Sequence, residues 1–373
     1  MPDPTPPPPP ARTPSDAAAP PAAAPGAPLA RGTTCSYYRD ADGHLWTDLA
    51  ADELPTALRQ CGARPAAGTD RPGDAAGGQL WVDIDSRDPA QHALLRDVFH
   101  FHPLAVEDTQ SAESRVRIEE YEDAYLFAIV RGVAFQASTP DPYDLDTQNL
   151  YFFIGRNYLV TVHDGPSPAV GRVRAHVART PALMGRGVAR LAHLVMDDAV
   201  DAYFPVLHGI DDFFDAIEPR VFEAFDERAL QDIFQLKRLV LTLRRYLAPQ
   251  RDVFSVLANR PTDLIAPEAQ RYFADVHDHV LRVYDGLDAA RDLLGSTLDS
   301  YLTQVSNRTG QATKGLSVVA TLSVPFVVVA GMWGMNFQAI PLATHPHGFW
   351  LMLALQLALG AALVAFLRWR RLL

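Results

Sequence analysis

The C-terminal segment Gly315–Leu367 contains no Asp, Glu, Lys or Arg, and this absence limits what the chain can fold into. Two apolar runs of 19 residues, Gly315–Trp333 and Phe349–Leu367, lie within it. A helix of this length crosses the roughly 30 Å hydrocarbon core of a bilayer with little tilt. Two buried helices of a soluble core are the alternative, but such helices rarely occur as an uncharged pair of this length. The segment therefore predicts two transmembrane helices after an otherwise soluble chain.

The basic residues around the two runs predict their orientation. They precede the first run or follow the second: Arg308, Lys314, Arg368, Arg370 and Arg371. The connecting loop 334–348 has no Lys or Arg, so the positive-inside rule places the loop outside and both chain ends in the cytoplasm. Tryptophans lie where aromatic belts occur, at Trp333, Trp350 and Trp369. We therefore expect a multi-pass protein of the cell (inner) membrane.

The remainder of the chain carries the whole net charge of −11. An acidic protein of this kind is unsuited to binding nucleic acid and suited to holding cations. Cys35 and Cys61 lack metal-site spacing and are expected to be free thiols on the reducing side of the membrane. The first 30 residues contain 12 Pro and 9 Ala, a composition that cannot bury enough apolar surface to fold. Residues 1–34 are therefore predicted to be a disordered cytoplasmic tail, without signal-peptide features.

Hydropathy patterning divides the rest of the chain into segments. Alternating, β-branched runs at Leu80–Asp85, Arg117–Val133 and Asn149–His163 predict strands, Pro89–Phe101 has helical periodicity, and from Val188 onward the pattern is helical. The predicted organisation is an α/β cytoplasmic domain (35–190), acidic and basic cytoplasmic helices (191–266), a stalk helix (268–314), the first span (315–333), a loop (334–348), the second span (349–367) and a basic cytoplasmic tail (368–373).

One predicted helix is much longer than a bilayer is thick. No proline occurs between Pro267 and Pro325, and a helix from Glu268 to Trp333 would be about 100 Å long at 1.5 Å per residue. The excess over the bilayer would project into the cytoplasm as a stalk. A helix this long is stable only when its apolar stripe packs against neighbours, so self-association is expected.

Five short segments carry a resemblance to a known family. They are His102–Asp108, Tyr272–His279, Tyr301–Arg308, Val324–Phe326 and Gly331–Phe337. Together they closely resemble the CorA family of magnesium and cobalt transporters, over about residues 80–373. The tripeptide Gly334-Met335-Asn336 alone would be a weak signal. Its position at the outer end of the first of two C-terminal spans, after that lead-in, makes it specific.

The resemblance implies a funnel-shaped homopentameric channel that carries Mg²⁺ and also Co²⁺. Gly334, Met335 and Asn336 would form its selectivity filter, with Asn336 of each subunit at the outer mouth. Because Mg²⁺ releases its waters reluctantly, a ring of neutral amide oxygens suits a hydrated ion, since it accepts hydrogen bonds from those waters. The alternative for Asn336 is a helix C-cap, a position that also favours Asn.

The resemblance also implies regulatory Mg²⁺ sites between cytoplasmic domains. Asp275 on the stalk would face Asp108 of the neighbouring subunit, with Glu107 and Asp197 as a second cluster. Facing carboxylates repel one another unless a cation bridges them, so bound Mg²⁺ would hold the channel closed. The alternative is that each is a solvated surface acid. Near the pore, Asp299 matches a family position at the cytoplasmic end, and the lining and constriction are matched by Thr313, Leu316 and Val324.

The sequence departs from the family pattern in ways that leave the ion open. Many members have a glutamate shortly after Gly-Met-Asn, whereas this loop lacks acids and has His345 and His347 instead. Gly310 and Thr313 replace the usual Asn and Met of the lower pore. An acid-free loop also occurs in the zinc-transporting ZntB branch, so zinc or another transition metal is the alternative cargo. We expect selection at Asn336, with the loop contributing little.

A different class of function is also compatible with the span pair: a membrane-anchored scaffold or signalling protein. An anchor needs neither Pro325 nor Asn336 nor a long stalk. The chain has no Ser/His/Asp, Walker or glycine-rich phosphate motif, so we do not expect an enzyme. His277, Asp278 and His279 follow Asp275, and Asp275 with His279 would share a helix face that a transition metal could use, although a solvated face is the simpler interpretation.

Overall fold

A computed structural model describes residues 35–61, 77–111, 114–122, 124–136, 139–224, 227–335 and 345–370. The predicted tail 1–34, part of the loop after the first span (336–344) and residues 371–373 lie outside the described residues.

The described residues form seven strands and nine α-helices. The strands are β1 (Cys35–Arg39), β2 (Leu45–Thr47), β3 (Gln79–Asp85), β4 (Ile118–Tyr121), β5 (Tyr125–Phe135), β6 (Leu145–Ile154) and β7 (Tyr158–His163). The helices are α1 (Leu54–Cys61), α2 (Pro89–Asp97), α3 (Pro103–Asp108), α4 (Pro168–Arg179), α5 (Val188–Asp201), α6 (Tyr203–Pro219), α7 (Glu227–Asn259), α8 (Pro267–Trp333) and α9 (Gly348–Trp369). A 3₁₀ turn (Pro181–Arg186) and a π-helical turn (Arg220–Ala224) connect some of them.

The strands form one sheet in the order β2-β1-β3-β7-β6-β5-β4. β3 and β7 are parallel, with Val82 opposite Val160, whereas β1 with β2, β1 with β3, β6 with β7 and β4 with β5 are antiparallel. β3 lies between two partners and is buried along almost its whole length, so its polar side chains, such as Asp83, need partners inside the protein.

Two of the predicted strand regions are hairpins. The run 117–133 divides at Glu122, whose φ of 47° turns β4 back along β5. The run 149–163 divides at Gly155, where a Cβ would lie 2.2 Å from the ring of Tyr158. β1 and β2 were not predicted, because strands of five and three residues give little periodicity to detect.

The two faces of the sheet differ in chemistry. On one face Leu80, Val82 and Ile84 join a core cluster with residues of α1 and α2. On the other face Asp83 is buried and accepts hydrogen bonds from Thr161 Oγ1 (2.7 Å) and His163 Nε2 (3.0 Å). Burial alone would lower the pKa of His163, but the charge of Asp83 and its hydrogen bond outweigh that effect and raise the pKa.

The chain separates into two compact units. The first comprises the described residues up to Arg131, Gln148–Ala199 and Val253–Val276. It contains most of the sheet, helices α1–α4, most of α5, the end of α7 and the beginning of α8. Cys35 and Cys61 lie in this unit as buried free thiols, and burial raises the pKa of each to about 12.

The second unit comprises Gly132–Thr147, Val200–Asp252 and His277 onward. Along α8 its buried apolar residues recur every three or four positions, which places them on one stripe: Val280, Val283, Leu287, Ala290 and Leu294. α6 approaches this stripe closely, because a Cβ at Gly286 would lie 2.6 Å from a methyl group of Leu207. α6 and α7 are linked by the hydrogen bond from Gln250 Nε2 to the Tyr203 hydroxyl (2.8 Å).

The long helix predicted from the spacing of prolines is present as α8, which continues through Pro325. Its stripe up to Leu294 packs within the chain, so self-association is not needed to cover that part. After Tyr301 no side chain of α8 is buried in the single chain. The last half of α8 is therefore the part whose apolar side chains must be covered by something other than its own chain.

Candidate functional site

The last part of α8 and all of α9 are apolar and exposed. In the most apolar 18 residues of α8 no residue is buried, and in the most apolar 18 residues of α9 the buried share is 6%. Large side chains such as Leu316, Val327 and Trp350 are 72%, 68% and 66% exposed. By length and composition both helices could cross a membrane, and their exposure requires a non-aqueous surrounding or other protein. The two helices touch where a Cβ at Gly360 would lie 2.6 Å from the ring of Phe326.

Three of the four predicted pore residues share one side of α8. At 100° per residue, Asp299, Thr313 and Val324 fall within an arc of about 40°, and Leu316 lies about 60° beyond Thr313. All four side chains are exposed in the single chain. These residues therefore present a line running from a carboxylate, through a hydroxyl, to an apolar residue.

The end of α8 leads into the predicted filter. α8 ends at Trp333, and the backbone N–H groups of Gly334 and Met335 bond back to the carbonyl oxygens of Ala330 (2.9 Å) and Met332 (3.4 Å). Both residues are exposed. Asn336, the predicted filter residue, lies outside the described residues.

Asp275 projects from the exposed side of the first turns of α8. One turn before it, the ring of Tyr272 is covered by the guanidinium of Arg190, 3.5 Å from the ring centroid. Arg190 also contacts Nδ1 of His193 at 3.1 Å. Tyr272 is 41% exposed, and cation–π contacts at exposed sites are worth about 0.5–1 kcal/mol. The contact places a positive charge one turn from Asp275.

Asp108, at the end of α3, is half-buried and already has a counter-ion. Its carboxylate pairs with the guanidinium of Arg117, which also donates to Glu119 Oε1 at 2.9 Å. Burial alone would lower the pKa of Arg117, but Asp108 and Glu119 outweigh it and raise the pKa. Arg117 therefore stays charged, and a cation that binds Asp108 must compete with it. The preceding residue, Glu107, is exposed.

Asp197 lies half-buried on α5, beside Asp198, which forms a salt bridge with Arg172 at 2.5 Å. Among the described residues, Glu107, Asp108, Asp197 and Asp275 do not form a three-ligand cluster with one another in a single chain. Their joint action in binding a metal therefore stays a prediction.

The sequence did not reveal the arginines and the other side chains that lie beside these acidic residues. Arg117 follows Asp108 by nine residues, and Arg190 is distant in sequence from Tyr272. Neither pair lies within one element, so the periodicity of one element could not have paired them. His279, noted for sharing a face with Asp275, donates a hydrogen bond from Nδ1 to Asp201 Oδ1 at 3.0 Å. Asp201 is one of many acids in its segment, and nothing in the sequence distinguishes it.

A family model described as "CorA-like Mg2+ transporter protein" matches residues 77–370, which is most of the chain. The chain belongs to the CorA-like Mg²⁺ transporter family. Members are channel-like transporters, so the predicted class of divalent-cation transporter is confirmed and an enzyme is excluded.

Individual relatives agree with the family match. The chain is 31% identical over 279 residues to the putative metal ion transporter YfjQ of Bacillus subtilis, covering 75% of this chain and 85% of that protein. It is 29% identical over 278 residues to the cobalt/magnesium transport protein CorA of Thermotoga maritima, covering 73% and 77%. The complete structure of the CorA magnesium transporter from Methanocaldococcus jannaschii superposes with a TM-score of 0.71 at 21% identity, covering 90% and 98%. The predicted fold, an α/β domain with a long helix and a terminal apolar helix, is confirmed.

Proposed function

We propose that this member of the CorA-like family forms a funnel-shaped homopentameric channel for Mg²⁺ influx, and also for Co²⁺, across the inner membrane. The observation that carries the proposal is α8, a single helix that joins the exposed carboxylates Asp275 and Asp299 to an uncharged, exposed span ending at Trp333. The relative from Thermotoga maritima, 77% of which is covered by the match, is named a cobalt/magnesium transport protein. Both termini are proposed to lie in the cytoplasm, as the basic residues around the spans indicate.

The proposed path runs along α8 at the centre of the assembly. Two helices cannot enclose a polar path, so subunits must share it, and the exposed half of α8 supplies the surface. Asp299 is proposed to lie near its cytoplasmic end, and its lining and constriction are proposed to be formed by Thr313, Leu316 and Val324. Asn336 is proposed to select the ion at the outer mouth, where its neutral oxygens accept hydrogen bonds from hydrated Mg²⁺.

Closure is proposed to follow from Mg²⁺ bound between subunits at Asp275 and Asp108, with Glu107 and Asp197 at a second position. The exposure of Asp275 leaves it available to a neighbouring subunit. Loss of the ion would leave facing carboxylates unpaired and loosen the assembly. Inward movement of Mg²⁺ needs no chemical energy source, because two charges crossing 100 mV gain about 4.6 kcal/mol.

Zinc, or another transition metal, is the second candidate cargo. The observation that favours it is the loop between the spans, which has two histidines and no acids, because imidazole prefers Zn²⁺, Co²⁺ or Ni²⁺ to Mg²⁺. A membrane-anchored scaffold is disfavoured by membership of a transporter family.

Ion flux in proteoliposomes tests the proposal. The full chain should carry Mg²⁺ and Co²⁺ when a panel of divalent metals is supplied outside. Asn336→Ala should abolish flux of every divalent ion, whereas Gln338→Ala, the loss of another amide in the same loop, should not. Strong Zn²⁺ flux with weak Mg²⁺ flux would favour the second candidate, and absence of any flux would favour the scaffold.

A further inference from the structure

The spans and the loop between them contain two ionisable side chains. From Gly315 to Leu367 the sequence has no Asp, Glu, Lys, Arg, Cys or Tyr, and its histidines are His345 and His347. On the proposed topology both lie on the outer side. Two imidazoles are therefore the strongest transition-metal ligands that this region can offer from outside.

The two histidines are tied to the beginning of α9. The N–H of Gly348 bonds to the His345 carbonyl oxygen (2.9 Å), and the N–H of Leu351 bonds to that of His347 (3.0 Å). Pro346 between them restricts the backbone further. Both side chains are exposed. The pair is therefore held by a helical turn, and both imidazoles are open to the solution.

The rings are close to the spacing that one shared metal requires. With Zn–N bonds of about 2.0–2.1 Å and a ring radius of about 1.2 Å, two imidazoles on a tetrahedral ion have centroids about 5.3 Å apart. The observed separation of the His345 and His347 centroids is 6.2 Å. The rings need to approach by about 1 Å, which side-chain rotation supplies.

A lone pair is already directed into this turn. Nδ1 of His345 accepts a hydrogen bond from the backbone N–H of His347 at 3.2 Å, a long distance for such a bond. A metal that takes this lone pair replaces one weak hydrogen bond by a coordinate bond. Mg²⁺ does not compete, because it prefers oxygen ligands and keeps most of its waters.

We propose that His345 and His347 form an external site for a borderline transition-metal dication such as Zn²⁺, and that the bound ion slows Mg²⁺ influx. The external location of the site and its effect on flux rest on the proposed function, whereas metal binding by the pair does not. Two imidazoles and two waters complete a tetrahedral Zn²⁺ site. The bound ion adds two positive charges to an outer surface that has no acids to offset them, and these charges repel arriving Mg²⁺.

The test uses the full chain in proteoliposomes, with Zn²⁺ added outside during Mg²⁺ influx. The double variant His345→Gln with His347→Gln is compared with wild type and with His176→Gln, which removes an exposed histidine from α4. Without Zn²⁺, influx should be equal in all three. The Zn²⁺ concentration for half-inhibition should rise at least about tenfold in the double variant alone, since even a supporting group at a metal site changes affinity by that factor.

Equilibrium dialysis of Zn²⁺ against the detergent-purified chain gives a second readout. The double variant should bind one Zn²⁺ fewer per chain than the other two proteins. Equal inhibition or equal stoichiometry in wild type and the double variant would overturn the site. So would Zn²⁺ flux that wild type supports and the double variant loses, because the pair would then serve transport. If wild type carries no Mg²⁺, the proposed function fails, and dialysis alone decides on the site.

Discussion

Replacing Arg117 by Gln should make the channel close at a lower Mg²⁺ concentration. Arg117 is the counter-ion of Asp108 and also donates to Glu119. If Asp108 is a ligand of regulatory Mg²⁺, the metal must displace this guanidinium or bind against its charge. Gln keeps much of the side-chain stem but removes the charge, so the Asp108 carboxylate becomes available without that cost.

The size of the effect follows from the burial of the pair. Hydrogen bonds to charged groups contribute about 1.5–3 kcal/mol. The Arg117 and Asp108 side chains are 33% and 23% exposed, so solvent screens the pair and the low end applies. A gain of about 1.5 kcal/mol in Mg²⁺ binding corresponds to about a tenfold lower closing concentration. The substitution also removes the hydrogen bond from Arg117 to Glu119. The Glu119 side chain is 42% exposed, so water solvates its carboxylate and this loss costs little.

The closing concentration is obtained by measuring Mg²⁺ influx into proteoliposomes at a series of internal Mg²⁺ concentrations. Arg115→Gln is the matched control, because it removes an exposed arginine two residues away and no contact of it with Asp108 is seen. Adding Asp108→Asn to Arg117→Gln should cancel the gain. A closing concentration that stays at the Arg115→Gln value, or rises, would refute the role of Arg117 as a competitor of Mg²⁺.

Three further predictions concern other parts of the chain. Asp275→Asn should make flux less sensitive to internal Mg²⁺ and reduce Mg²⁺ protection of α8 from protease; identical digestion of variant and wild type would exclude Asp275 as a ligand. A cysteine probe at Thr344 should react with an impermeant reagent from outside and one at Leu373 should not; the reverse pattern would contradict the proposed topology. Because Asp83 raises the pKa of His163, this pair stabilises the fold fully below about pH 6.5 and progressively less as pH rises through the folded-state pKa. Thermal unfolding should therefore show a loss of stability in that range that His163→Gln removes, and an unchanged pH profile in the variant would disprove the linkage.

The elements that the sequence predicted best are those with long, regular patterns. α8 and α9 follow from uncharged runs and from the absence of proline over many turns. Pro325 did not end the helix, because an apolar surrounding leaves the backbone few alternatives to helical hydrogen bonds. The strand β3 was recognised because Leu80, Val82 and Ile84 alternate with the residues of its other face.

The rest depends on turns and on contacts between residues of different elements. The hairpin turns at Glu122 and Gly155 interrupt runs in which strand-forming residues continue on both sides. The pairing of Asp108 with Arg117 requires the turn after α3 to bring β4 alongside, and periodicity does not encode that approach. The motif match identified Asp108 and Asp275, but it gave no information about the arginine side chains near them.

The continuity of α8 has a mechanical consequence. A helix of 67 residues is about 100 Å long, so a tilt of only about 5° about one end displaces the other by about 9 Å. If Mg²⁺ binds at Asp275 as proposed, a small angular change there would be amplified into a movement of several ångströms at the other end of α8. A stretch of α8 that bent easily would reduce the displacement at the far end. The bending stiffness of α8 between Tyr301 and Gly315, where none of its side chains is buried in the single chain, would therefore determine how much of a movement near Asp275 reaches the other end.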